Sequence, residues 1–418
     1  MTTHQVLFLL LDLAVIVALA RLLAMLAAKL DQPPVIGEVL AGILLGPTLF
    51  GESFSAALFP MDVRPFLAAL ANVGVAVFMF VVGLGLERTL LKGRGRIALT
   101  VSVSSIVLPF ALGTGLAFLL IENHDPPHRL GFVLFIGAAM AVTAFPVLAR
   151  ILADRGMLRT ALGGLALTCA AIDDVLAWSL LAVVVMVSGG GDQWLIGLVP
   201  LYVAVMFLVV RPLLRRLFAA HGTGLTTGRL AVVLAGLLTS GAATEWIGLH
   251  FIFGAFLFGV VMPRDDTEAL RGALIERVGE FNGALLLPVF FIVAGLKVNL
   301  SGIGTTGLVE LALVLLVAVG GKFGGAFAGA RLRRLPARTS AALATLMNCR
   351  GLTELIILTV GLQLGVLDRS LYSIMVVMAV VTTMMTGPLL RLIHPKPLVE
   401  NDYEVPAVRG VRGPVATR

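Results

Sequence analysis

Long apolar runs separated by short polar turns repeat from one end of the chain to the other. Each is close to the ~20 residues that a helix rising about 1.5 Å per residue needs to cross bilayer hydrocarbon. The runs fall at 5–28, 34–50, 64–86, 97–121, 130–153, 159–187, 194–219, 228–247, 249–263, 272–296, 305–330, 339–365 and 370–393. This pattern predicts an all-α polytopic membrane protein with thirteen transmembrane helices, the runs at 34–50 and 249–263 being short. The first run begins almost at Met1 without a basic leader or small-residue cleavage site, so it reads as a retained helix. Residues 1–396 form one transmembrane domain in this reading, and 397–418, rich in proline and poor in apolar periodicity, a short disordered cytoplasmic tail.

The turns orient the helices. With the N-terminus outside, Lys29, Arg88, Lys92, Arg94, Arg96, Arg150, Arg155 and Arg159 fall on the cytoplasmic side. Arg211, Arg215, Arg216, Arg229, Arg264, Arg271, Arg277, Arg331, Arg333, Arg334 and Arg338 fall there too. The opposite side holds Arg64, Arg129, Lys297 and Arg369 beside Glu52, Asp62, Glu122, Asp125, Asp192 and Asp368. A single missed helix would scramble this segregation, so it predicts a cytoplasmic (inner) membrane protein with its N-terminus out and its C-terminus in.

Composition sharpens the class. Of 418 residues, 59% are apolar and 13% charged, about half the charge a soluble chain carries. The net charge of +7 sits in turns between apolar runs, which points to topology and anionic lipid of the bilayer, not to nucleic acid. Cys169 and Cys349 both fall in apolar runs and lack metal-ligand spacing. Neither a Walker-type loop nor a Rossmann-like glycine pattern is present, so the expected protein is no enzyme, needs no cofactor and runs on ion gradients.

Charges inside apolar runs then carry the chemistry, because each costs at least a few kcal/mol in hydrocarbon. Asp173 and Asp174 are adjacent in the middle of the sixth run. Neighbours on a helix point about 100° apart, so one can face an aqueous cavity while the other faces a packed partner. Two carboxylates so close oppose each other's ionisation, which lets protons and a cation compete for the site. Lys322 lies deep in the eleventh run with no acid at i±3 or i±4, roughly 13 Å of helix from the basic turn at 331–338. A buried lysine must pair or lose its proton, and Asp173 or Asp174 is the natural counter-ion.

Two runs carry interruptions. The fifth contains Thr143-Ala144-Phe145-Pro146 and the twelfth Asn348-Cys349-Arg350-Gly351-Leu352-Thr353-Glu354. Breaks at corresponding positions of inverted repeats expose carbonyls and helix ends able to coordinate or repel ions. Glu354 stands four residues after Arg350, the spacing of a helical ion pair, and Glu38 lies at a cytoplasmic entrance. Asp12, Glu245 and His250 read as structural or interfacial.

At this point the chain resembles the monovalent cation:proton antiporters (the sodium/hydrogen exchanger domain). The similar branch includes Kef-type bacterial transporters and plant and fungal cation/proton exchangers. The resemblance runs over about 5–393. It rests on the Pro33–Pro47 stretch around Pro33-Pro34-Val35-Ile36-Gly37-Glu38, on Phe80-Val81-Val82-Gly83-Leu84-Gly85-Leu86-Glu87 and on Thr143–Arg150. It continues in Ile172-Asp173-Asp174, Phe290–Leu296, Gly321-Lys322-Phe323-Gly324 and Asn348–Leu355.

The resemblance implies a homodimer whose protomers each hold a dimerisation part and a core part, interleaved in sequence, with the fifth and twelfth helices crossing at their breaks. It implies that Asp174 binds the cation and the proton, that Asp173 pairs with Lys322, and that Thr143 and nearby carbonyls line the site. Asp174 and Asp173 would then hold the transported monovalent cation, with Lys322, Arg350, Glu354 and Glu38 in support. Relatives with two aspartates and this lysine are usually electrogenic. Kef-type proteins have a different residue before the aspartate and a large nucleotide-binding domain, and this sequence has neither. The expected activity is exchange of K⁺ or Na⁺ for H⁺ by elevator-type alternating access. A sodium-coupled organic solute symporter on the same architecture is the alternative, and a passive cation channel a further one.

Overall fold

The computed structural model describes residues 2–85, 95–158, 160–188, 197–219, 225–263, 268–301 and 303–393. The expected tail at 397–418 and the basic residues Arg88, Lys92, Arg94, Arg159 and Arg264 lie outside them. The chain is a succession of helices. The first half holds α1 (Thr3–Lys29), α2 (Pro34–Leu45), α3 (Pro47–Leu58), α4 (Arg64–Gly85), α5 (Gly95–His124), α6 (Arg129–Ala141), α7 (Phe145–Asp154) and α8 (Ala161–Ser188). After it come α9 (Val199–Val205), α10 (Arg211–Ala219), α11 (Thr227–Trp246), α12 (Phe251–Val261), α13 (Glu268–Phe281) and α14 (Leu287–Gly295). The last four are α15 (Thr305–Leu332), α16 (Ala337–Met347), α17 (Leu352–Gln363) and α18 (Arg369–Ile393). Wider π turns join α9 to α10 at Met206–Val210 and α13 to α14 at Asn282–Leu286.

Local sequence explains the boundaries. Thr2 and Gln5 form a reciprocal cap that starts α1. Prolines stand in the first turns of α2, α3, α7, α9 and α14, where a missing N–H costs nothing. Among the described residues nine helices are long and apolar enough to span a membrane, or ten if the bent pair α16–α17 counts as one span. The count of thirteen is not established by this test. The run expected at 34–50 is not one helix: α2 stops at Leu45, Gly46 is extended, and α3 starts at Pro47 and bends at Gly51, whose φ is +80°. The run expected at 249–263 is helical only from Phe251 to Val261.

Two bodies emerge from the packing. In the first, a panel, α2 and α4 both pack on α14, α1 lies along α2, and α12 is wedged between α4 and α11. In the second, a bundle, α5 and α15 pair most extensively, and α6, α8, α16 and α18 close around them. Small residues bring helices to backbone contact, as membrane packing requires. A methyl at Gly83 would lie 2.2 Å from the Phe256 carbonyl oxygen, and one at Gly259 2.2 Å from that of Phe80, so α4 and α12 cross backbone on backbone.

Among the described residues few polar ties join the bodies. The Tyr372 hydroxyl donates to the Ala294 carbonyl at 2.9 Å and the Asn299 N–H to Ser373 Oγ at 3.0 Å. At the other end Arg391 pairs with Asp31. Glu245 caps α12 by accepting the Phe251 N–H at 2.8 Å, and His250 lies 3.4 Å from Gln363.

Candidate functional site at the crossing of two broken helices

Both interruptions are present, and they meet. The backbone leaves helical geometry between Ala141 and Phe145 and again between Asn348 and Leu352. The Ala144 N–H donates to the Cys349 carbonyl at 3.1 Å, and Thr143 Oγ1 lies 3.1 Å from that of Met347. Two helix C-termini and two helix N-termini are thereby brought to one point inside the bundle.

The carbonyls at the end of α6 lack helical donors, and cations occupy them. Arg350 Nη1 donates to the Ala139 carbonyl at 2.6 Å and Nη2 to that of Met140 at 2.7 Å. Lys322 Nζ donates to the Ala141 carbonyl at 2.5 Å. Positive charge at a helix C-terminus is the favourable sign for the macrodipole. Arg350 also pairs with Glu354 at 3.0 Å, both side chains fully buried. Its own backbone is closed by one hydroxyl: Thr383 Oγ1 accepts the Arg350 N–H at 2.9 Å and lies 2.7 Å from the Arg350 carbonyl.

On α8 the two aspartates diverge as their helical spacing requires, yet both are buried. Asp173 Oδ2 is ringed by donors: Lys322 Nζ, Thr143 Oγ1 and Ser105 Oγ, each at 2.9 Å. The expected pairing of Lys322 falls on Asp173, and the Thr143 hydroxyl turns to Asp173 as well. Asp174 is different. Both of its oxygens are buried without a protein hydrogen-bond partner, where Asp12, Asp173 and Glu354 each have one such oxygen. The N–H of Phe145, which opens α7, is directed at it without completing a bond. A helix N-terminus with an unpaired carboxylate before it can hold that carboxylate as an anion, and the anion can take either a proton or a cation.

A cavity of about 250 Å³ opens between the bodies near the start of α7, and neither aspartate is in its lining. Glu38 and Phe78 line it from the panel, and Pro146, Val147 and Arg150 from the bundle. Its wall at Pro146 is the residue after Phe145. Glu38 thus shares a cavity with Pro146 and Val147 of α7 and is not a neighbour of Asp174 in that lining. Arg150 lies at the rim with Asp154, 3.1 Å away.

Sequence reading missed Ser105 and Thr383. Serine and threonine are common in membrane helices, where they bond their own preceding turn. Only the spacing of Ser105 to Pro109 could have marked it out.

A polytopic bundle with two crossed breaks, a buried lysine–aspartate pair and a free carboxylate defines an ion-translocating membrane protein. The family model for the transmembrane sodium/hydrogen exchanger matches residues 14–394, and the chain belongs to that family. It is 39% identical over 411 residues to the Na⁺/H⁺ antiporter NhaS4 of Synechocystis sp., covering 95% of this chain and all of that one. Cation/H⁺ antiporter 17 of Arabidopsis thaliana is 39% identical over 96% of this chain and 50% of its own length. The K⁺/H⁺ antiporter 1 of Saccharomyces cerevisiae is 31% identical over 88% of this chain and 44% of its own. The chain thus spans about half the length of these plant and yeast relatives. The solved sodium proton antiporter MjNhaP1 of Methanocaldococcus jannaschii shares the fold, with a TM-score of 0.69 at 16% identity, covering 96% of this chain and 99% of that one.

Proposed function

We propose that this protein exchanges a monovalent cation, K⁺ or Na⁺, for protons across the cytoplasmic membrane. The observation that carries the proposal is the contrast on α8. Asp173 is held by three donors, while Asp174 is buried with both oxygens free and a helix N-terminus facing it.

Deprotonated, Asp174 binds a cation that has shed most of its water. Protonated, it has no charge to hold the cation and releases it. Lys322 stays on Asp173 while the cation is absent and gives up its proton when the cation binds, which makes exchange electrogenic. The Thr143 hydroxyl and carbonyls at the break complete the site. Glu38 draws cations into the cavity from the cytoplasmic side. The bundle moves against the panel as an elevator, with the panel forming a homodimer. The sparse polar ties between the two bodies support that motion. The similarity of Asn348–Glu354 to exchangers associated with potassium favours K⁺ as the cation.

The solute-symporter alternative needs a wide polar chamber. The cavity here is about 250 Å³ and lined chiefly by apolar side chains, which does not provide such a chamber.

The test is reconstitution in proteoliposomes with a pH-sensitive dye inside, adding Na⁺, K⁺, Li⁺ or choline at clamped voltage. A dye response to K⁺ or Na⁺, absent with choline and lost in Asp174→Asn by about 100-fold or more, is the expected outcome. Full pH-dependent exchange by Asp174→Asn would sink the assignment.

A further inference from the structure

α5 carries a proline, Pro109, buried inside its span. Proline has no N–H, so the carbonyl four residues earlier, that of Ser105, loses its helical donor. Lys322 Nζ fills the place, donating to the Ser105 carbonyl at 3.1 Å. The hydroxyl of the same serine lies 2.9 Å from Asp173 Oδ2 and 3.0 Å from the Ser102 carbonyl. One residue therefore touches both halves of the buried ion pair, main chain on the cation and side chain on the anion.

The neighbouring helix is shaped to allow this. A methyl at Gly321 would lie 2.8 Å from Pro109 Cα, and one at Gly325 2.3 Å from the Ser104 carbonyl oxygen. α15 thus runs against the backbone of α5 at the proline, and Lys322 sits on that seam. A larger residue at either glycine would push the ammonium away from the freed carbonyl.

We propose that Pro109 and Ser105 are positioning residues for the exchange. Pro109 frees the Ser105 carbonyl as a fixed ligand of the Lys322 ammonium, and the Ser105 hydroxyl holds Asp173 against it. The inference rests on the reading above, in which the Asp173–Lys322 pair answers the proton and cation load of Asp174. A main-chain carbonyl cannot rotate away as a side chain can. The ammonium accordingly keeps a fixed partner until it gives up its proton.

The other titratable or charged groups around Lys322 are Asp174 and Cys169 on α8, and Cys349, Arg350 and Glu354 at the second break. None of them supplies a hydrogen bond to its ammonium, whose bonds go to Ser105, Ala141 and Asp173. Weakening the Ser105 contact therefore acts on one of three ligands.

The experiment compares Pro109→Ala, Ser105→Ala and Ser105→Thr in the full chain, reconstituted in proteoliposomes, with Asp174→Asn run in parallel. Alanine at 109 returns an N–H that competes for the Ser105 carbonyl, and it is the better helix former, so folding is not threatened. With a ligand of the ammonium weakened, proton release is easier. The acid limb of the exchange–pH profile is expected to move to lower pH by about 0.5 unit or more in Pro109→Ala. Ser105→Ala, which removes a donor from Asp173, is expected to displace the profile by a similar amount. Ser105→Thr, keeping the hydroxyl, is expected to hold the wild-type profile. An unmoved profile in Pro109→Ala or in Ser105→Ala, whatever the rate, overturns the proposal, because a kink or packing role changes rate alone. If Asp174→Asn still exchanges, the parent reading has failed instead.

Discussion

The panel and the bundle are built from the same apolar residues and bury polar groups on different terms. In the panel, buried polar side chains mostly answer neutral partners, the carboxylate of Asp12 excepted. Asn282, on the π turn before α14, donates to the Gly74 carbonyl at 3.1 Å, and Ser240 donates to that of Gly254 at 2.7 Å. In the bundle, Lys322, Arg350, Asp173, Asp174 and Glu354 share one interior, with Arg350, Lys322, Asp173 and Glu354 wholly inaccessible. The panel's bonds resemble ordinary membrane-helix packing, worth on the order of 1 kcal/mol each. The bundle's charges are stable only because helix ends and counter-charges meet them, and breaking such a pair leaves an uncompensated charge. The dense cluster of buried charges lies in one body alone of the two.

The comparison is tested hardest by removing one partner of the central pair. Lys322→Met leaves Asp173 buried without its cation and is expected to lower stability by about 3–5 kcal/mol. Adding Asp173→Asn to that variant should recover most of the loss, while exchange stays absent in both. Thermal unfolding in detergent reads the stability, and an additive double variant would show that the two groups do not act as a pair. A panel substitution of comparable size, Asn282→Ala, provides the contrast within the same assay.

Next in size is the second break. Thr383→Val keeps the shape but leaves the N–H and carbonyl of Arg350 without the hydroxyl that serves both. The expected cost is about 1–3 kcal/mol, with Thr383→Ser close to wild type. A valine variant as stable as wild type would mean that the break satisfies itself.

The smallest effect belongs to the bundle's far end. There the His124 ring lies 2.5 Å from Asp368 and 3.1 Å from Glu310, clasping α5 to α15 and to the turn before α18. Burial pushes the Asp368 carboxyl up, but the hydrogen bonds from His124 and from the Leu371 N–H outweigh it and hold the group below the usual carboxylate range. A carboxylate depressed by folding contributes stability above its unfolded value and loses it as pH falls through the folded one. Stability is therefore expected to drop as pH is lowered below ~4. Because the Asp368 side chain is 43% exposed, the drop is on the order of 1 kcal/mol or less. Asp368→Asn should flatten it, as unfolding temperatures at about pH 5 and pH 3 would show.

How much of this could be read from the chain differs residue by residue. Asp173, Asp174, Lys322 and Arg350 declare themselves, since a charge in an apolar run has a cost that nothing local offsets. The breaks at Thr143–Pro146 and Asn348–Gly351 show themselves as polar and helix-breaking residues in mid-run. The division of α2 from α3 was not legible, because Gly46-Pro47 looks like one more glycine and proline in a membrane helix. Ser105, Pro109 and Thr383 were equally silent. Each has an unremarkable identity and takes its role from a partner 33 to 217 positions away.

The sequence by itself determined that the protein crosses the membrane many times, and where charge is forced into its interior. Hydrophobic periodicity and the cost of burying charge are local properties that composition and spacing reveal. Only the tertiary structure decided which aspartate takes the lysine and which is left free. It also decided which carbonyls the two cations cap, and that one serine binds both halves of the pair. Those outcomes depend on two helices meeting within a few ångströms at their breaks, and contact between distant segments has no signature in either one alone.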